Sequence, residues 1–183
     1  STIAFWITRM GDLFFFGGLI IIFSEMNSLN IDYLNQNYDL FSTSTSLKFS
    51  VLCISIGILT KSAQFPFNIW LTKAMKGPTP VSSLIHSATM VVAGILLLYK
   101  IPPLLGVNSF VSNLLFYIGL ISTLIASIVA FTENDLKKIL AYSTISHIGL
   151  MFVAVGLQNS DLGLFHLFSH KKIDTKPSLR RII

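Results

Sequence analysis

Lys61 stands in LTKSAQFPFNIWLTKAM, Leu59 to Met75, directly after the apolar run from Val51 to Leu59. A lysine in such surroundings is a candidate for chemistry, because a desolvated ammonium needs an anion or a wet cavity, or else gives up its proton. Pro66 follows five residues later; it lacks an N–H and crowds the carbonyl of Ser62. Gly57 lies four residues before the lysine. Together they predict a helix broken around Lys61, with freed backbone carbonyls able to face the ammonium and Ser62 and Gln64 adding polarity. Two readings are open. Lys61 is either a structural cation paired with a carboxylate elsewhere, or a proton-binding site where desolvation favours the amine and a movable anion favours the ammonium. Intramembrane charges are functional by default, which favours the second.

Further groups belong to the same argument. Thr79, Ser82, Ser83, His86 and Thr89 recur at three- and four-residue steps and make one polar stripe, with Leu84, Ile85, Val91 and Val92 filling other positions. His86 is open to two readings, a packing hydrogen bond between helices or a proton relay next to Lys61. Lys137 and Lys138 sit in TENDLKKILAYST, Thr132 to Thr144, where Asn134 or Asp135 is placed to cap a short helix. Adjacent residues face different ways on a helix, so at least one of these lysines reads as a simple anchor. His166 and His170 share a helix face; the spacing suits zinc, but no Cys, Glu or third His lies at a useful distance, which favours a proton path or packing. Arg9 and Asp12, three apart, read as an intrahelical, structural pair.

The elements that must position these residues are helices in a membrane. Only 11% of the 183 residues are charged and 52% are hydrophobic, more apolar surface than a soluble domain can hide. A spanning helix needs about 20 mainly apolar residues. Candidate spans are Ile3–Phe23, Leu47–Met75, Thr79–Tyr99, Val111–Phe131 and Leu140–Leu157, and a partial sixth runs from Leu162 to near His170. The fold class is therefore all-α: a polytopic transmembrane helical bundle of about five spans plus a partial sixth, with a broken helix near Lys61. Continuous apolar runs exclude a barrel, whose strands alternate. Lys61 lies 14 residues into its span, roughly 21 Å at about 1.5 Å per residue.

The loop from Ser24 to Ser46 carries Glu25, Asp32 and Asp39 and no basic residue. Lys73, Lys76, Lys137 and Lys138 fall in the 73–78 and 132–139 connections, which places those two inside and the 24–46 loop outside, with Lys100 the outlier. Cys53 is alone, so no disulfide framework or cysteine metal site is expected. The net charge of +5 is carried largely by residues after Ser169, and no basic patch suits nucleic acid. Residues 171–183 form a polar, basic tail with Pro177, not expected to embed in the membrane. The leaning toward Phe, Ile, Leu, Asn and Ser suits an A/T-rich genome such as a mitochondrial one, and the chain ends resemble those of a fragment.

KSAQFPFNIWLTKAMKGPTPVSSLIHSATMVVAGILL, Lys61 to Leu97, resembles the signature of the subunit-five family of proton-pumping NADH–ubiquinone oxidoreductase, respiratory complex I. TRMGD (Thr8–Asp12), NDLKKILAYSTISHIGLMF (Asn134–Phe152) and FHLFSH (Phe165–His170) match in the right order, so the resemblance covers nearly residues 4–170. It implies an antiporter-like membrane domain over 1–170, related to multi-subunit sodium/proton antiporters. It implies that Lys61 is the central lysine on a broken helix, His86 the relay on the next helix, Lys137 the lysine of a D-x-K-(K/R) stretch, and His166 and His170 a paired site. Asp12 matches a carboxylate on an earlier helix. Thr72 stands where the family usually has proline and His147 where it usually has glutamine. The family's glutamate partner of Lys61 belongs to a helix preceding this sequence.

The implied function is proton translocation in a multi-pass subunit of the mitochondrial inner membrane, within a translocase that oxidises NADH and reduces ubiquinone elsewhere. No Gly-rich nucleotide loop and one cysteine imply no bound cofactor and no metal in this chain. Expected partners are other membrane-arm subunits, other pieces of a split subunit, and lipids, but not nucleic acid. The alternatives are a sodium/proton antiporter subunit and a non-pumping structural remnant.

Overall fold

The computed structural model describes residues 2–37, 39–74, 90–100 and 108–157, and every regular element among them is helical. In chain order these are α1 (Thr2–Met26), α2 (Ile31–Gln36), α3 (Asp39–Thr43), α4 (Thr45–Lys61), α5 (Ile69–Ala74), α6 (Met90–Lys100), α7 (Ser109–Thr132) and α8 (Leu136–Gly156). Three of them, from Ala4 to Met26, Ser109 to Thr132 and Leu136 to Gly156, are long and apolar enough to cross a membrane. At about 1.5 Å per residue the 24 residues of α7 reach roughly 36 Å, beyond the hydrocarbon thickness of about 30 Å. These helices fall on the first, fourth and fifth expected spans. The second expected span is split between α4 and α5. Of the third, only the α6 part is described; the sixth span and the 171–183 tail lie outside the described residues.

Two close helix pairs organise the bundle: α1 along α4, and α7 along α8. Glycines set both approaches. A Cβ on Gly57 would lie 2.7 Å from Cβ of Phe15 and 2.9 Å from the Gly11 carbonyl. A Cβ on Gly119 would lie 2.7 Å from the carbonyl of Gly149. In lipid no hydrophobic force draws helices together, so backbone contact at small residues does that work. Buried residues of α4 include Leu47, Val51, Cys53, Ile54, Ile58 and Leu59, distributed around the helix. α4 is accordingly the central element, with α6 on another side; a Cβ on Gly94 would meet Ser62 Oγ at 2.8 Å.

Loop contacts sort the helix ends. Asn35 Nδ2 donates to the Lys100 carbonyl (3.0 Å) and Asn108 Nδ2 to the Lys48 carbonyl (3.4 Å). The 27–44 connection, the end of α6 and the start of α7 therefore gather at one end of the bundle, and the 133–135 connection lies at the far end of the α7–α8 hairpin. Asp135 is the N-cap residue of α8, as its position suggested, but no side-chain cap bond forms. Its carboxylate instead meets Lys138 Nζ at 3.3 Å, and the helix that follows is long, not short.

Candidate functional site

The chain stops being helical at the lysine itself. Lys61 is the last residue of α4, and Ser62 follows as the C-cap. Ala63 then takes a left-handed conformation with φ 51°. Its N–H reaches the Thr60 carbonyl (3.3 Å) and the Gln64 N–H reaches that of Leu59 (3.1 Å), the paired bonds of a Schellman turn. Glycine usually fills that left-handed position; an alanine there costs about 1–2 kcal/mol. The Phe65–Pro66 peptide is cis. α5 resumes at Ile69, and Trp70 Nε1 donates back to the Thr60 carbonyl at 2.8 Å. The break foreseen from Pro66 is present, but the carbonyls it frees are used differently from the expectation. Thr60 accepts from Trp70, and Ser62 accepts from Gln64 Nε2 at 3.1 Å.

Lys61 Nζ lies 2.9 Å from Asp12 Oδ1 on α1 and 5.3 Å from the centre of the Phe15 ring. Asp12 is ten residues into α1, about 15 Å from its start, so the ion pair sits well inside that helix. Arg9 reaches the same carboxylate only at 4.0 Å, and its side chain is 63% exposed. The expected intrahelical Arg9–Asp12 pair is present, but the closer partner of Asp12 is Lys61. The register of α1 on α4 explains this, because Gly11 packs against Thr60 and so places the next residue beside the next lysine. A cavity of about 390 Å³ opens on the pair, lined by Phe5, Thr8, Arg9, Asp12, Lys61 and Trp70.

Behind the break lies a second polar group; Gln64 was expected only to add polarity beside Lys61, and its partner Ser122 was not foreseen. Gln64 is fully buried, accepts from Ser122 Oγ on α7, and donates to the Ile145 carbonyl on α8 at 3.4 Å. No periodicity announces it; a buried glutamine three residues after the lysine is its only sequence signal.

Lys138 is engaged by Glu133 (3.2 Å) and Asp135 (3.3 Å) within its own connection. Lys137, next to it on the first turn of α8, is exposed. His86, His166 and His170 lie outside the described residues. Among the described residues no group of three or more His, Cys, Asp and Glu side chains could hold a metal ion. The geometry brings Lys61, Arg9 and one carboxylate, Asp12, together at a helix break beside a cavity.

The chain belongs to the NADH:quinone oxidoreductase/Mrp antiporter transmembrane family, whose model matches residues 1–176. It is 40% identical over 177 residues to NADH-ubiquinone oxidoreductase chain 5 of Trichophyton rubrum, covering 93% of this chain and 26% of that protein. It is 41% identical over 172 residues to a chloroplastic NAD(P)H-quinone oxidoreductase subunit 5 of Marchantia polymorpha, covering 91% of this chain and 25% of that one. Among solved structures, the Mrp complex of a Dietzia species matches with a TM-score of 0.87 at 28% identity, over 93% of this chain and 19% of that chain. The chain thus spans about a quarter of the length of the curated relatives it matches.

Proposed function

We propose that this chain forms part of a proton-translocating unit in the membrane arm of an NADH:quinone oxidoreductase, with Lys61 as the proton carrier. The observation that carries the reading is the Lys61–Asp12 ion pair at 2.9 Å, set where α4 ends and next to a cavity. With Asp12 close, Lys61 holds its proton. When the carboxylate moves off or is drawn to another cation, the ammonium loses its counter-ion and passes its proton to the next polar site. Family membership and the relatives named for chain 5 support placing that chemistry in a respiratory complex. Redox cofactors, on this reading, are held by other subunits.

The finer parts belong to the same proposal. Residues 1–170 form one antiporter-like membrane domain of about five spans plus a partial sixth, and 171–183 a separate polar tail. His86 receives the proton from Lys61, and Lys137, His166 and His170 continue the path. The membrane is the mitochondrial inner membrane, with the 24–46 loop on its outer face and neighbouring membrane-arm subunits and lipids as partners. Replacing Lys61 with alanine in the assembled complex tests the core of this: proton uptake per NADH should fall while NADH oxidation and assembly persist. Unchanged proton yield would remove Lys61 from the path.

A second reading has its own support in the Mrp match: a subunit that exchanges sodium for protons without redox partners. Sodium-driven proton flux in vesicles lacking NADH would favour it, and co-purification with NADH-oxidising subunits would disfavour it.

A further inference from the structure

The buried amide of Gln64 ties the lysine-bearing break to α7 and α8. In a Schellman turn the residue in its position ordinarily packs an apolar side chain against the last helical turn. Here the side chain is a glutamine with 0% exposure, and it turns outward to other elements. Its amide donates to the Ser62 carbonyl (3.1 Å) and to the Ile145 carbonyl of α8 (3.4 Å), and its carbonyl accepts from Ser122 Oγ of α7. Ser122 is itself buried and sits one turn from Gly119, where the α7 and α8 backbones touch. One side chain therefore fastens the end of α4 to the point of closest α7–α8 approach.

Resting on the proton-carrier reading of Lys61, we propose that Gln64 is the positioning residue for that lysine. It fixes the break against the α7–α8 hairpin, so the distance from Lys61 to Asp12 on α1 is set relative to the hairpin that carries Lys137 in the first turn of α8. The break has a grip on each side: the ion pair toward α1 and the amide toward α7 and α8. A shift of the hairpin pulls on Ser62 and Gln64, three residues or fewer from the lysine, and alters how closely the ammonium faces its carboxylate. Without the amide bonds, the turn that ends α4 loses its hydrogen bonds to α7 and α8.

The test uses the intact NADH-oxidising complex in sealed vesicles, reading protons taken up per NADH oxidised alongside the NADH oxidation rate. Gln64→Leu is expected to assemble, to retain oxidation, and to lose at least half of the proton yield. Gln64→Glu keeps an acceptor for Ser122 and, when protonated, one donor; it should restore part of the yield. Ser122→Ala should lower the yield less than Gln64→Leu, and the double variant should be no worse than Gln64→Leu alone, because both act on one link. If Gln64→Leu does not assemble, Ser122→Ala and Gln64→Glu carry the test, and a full yield in both overturns the proposal. Full yield per NADH in assembled Gln64→Leu also overturns it, since a packing role changes the amount of complex and not its stoichiometry. Lys61→Ala separates the two ideas: loss there with full yield in Gln64→Leu sinks only the positioning role, whereas full yield in Lys61→Ala sinks the carrier reading beneath it.

Discussion

Lys61 and its partner show what one residue can and cannot reveal in a sequence. The lysine was legible, because a charge among apolar residues followed by a proline has few explanations. Asp12 was not, because its partner is 49 positions away and Arg9 stood nearer in the chain. Only the close packing at Gly11 and Gly57 shows which cation it meets. Asp12→Asn removes the anion while keeping the shape, so a severalfold loss of proton yield is expected in complex that still assembles. Proton yield equal to that of the unaltered complex would show that Lys61 does not depend on Asp12. Lys137 and Lys138 separate at the same scale. Glu133 and Asp135 hold Lys138 within the connection, so Lys138→Ala should leave the yield intact; on the proposed path through Lys137, Lys137→Ala should lower it. Equal effects would leave no reason to assign the path to Lys137.

Helices carry the next level of the argument. Long apolar runs marked α1, α7 and α8 directly, since length and hydropathy decide a spanning helix. The break around Lys61 was legible from Pro66, but the turn that makes it was not: Ala63 takes the left-handed place without a glycine to advertise it. Ala63→Gly should relieve about 1 kcal/mol of backbone strain, seen as a higher unfolding temperature. Lower stability would mean that the alanine methyl supplies packing that outweighs the strain. The helix contacts are equally specific. A Cβ on Gly57 would press on Phe15 and on the Gly11 backbone, whereas one on Gly17 meets, among the described residues, no atom beyond its own helix backbone within 4 Å. Gly57→Leu should destabilise by about 1–3 kcal/mol, and Gly17→Ala should stabilise α1 by about 0.5–1 kcal/mol. Thermal unfolding of the two variants side by side checks the α1–α4 contact; equal stability would contradict it.

At the scale of the whole molecule, the fold places a titratable pair in the α1–α4 contact and a neutral polar clamp between α4 and the α7–α8 hairpin. Hydropathy predicted the class of fold, yet it could not place the helices against one another, which depends on glycine contacts and on buried amides that any apolar average hides. The acidic 24–46 loop lies at the same end as the end of α6 and the start of α7. Cysteines introduced there should react with an impermeant reagent from the outer face only, and labelling from the inner face would reverse the orientation. The account stands or falls on whether Lys61 gives up its proton during turnover. Arginine preserves the charge and the reach toward Asp12 but does not deprotonate. Protons translocated per NADH should therefore fall sharply in Lys61→Arg while the complex assembles and oxidises NADH. Full stoichiometry at the normal turnover rate would mean that a fixed positive charge is all the site requires, and that Lys61 carries no proton.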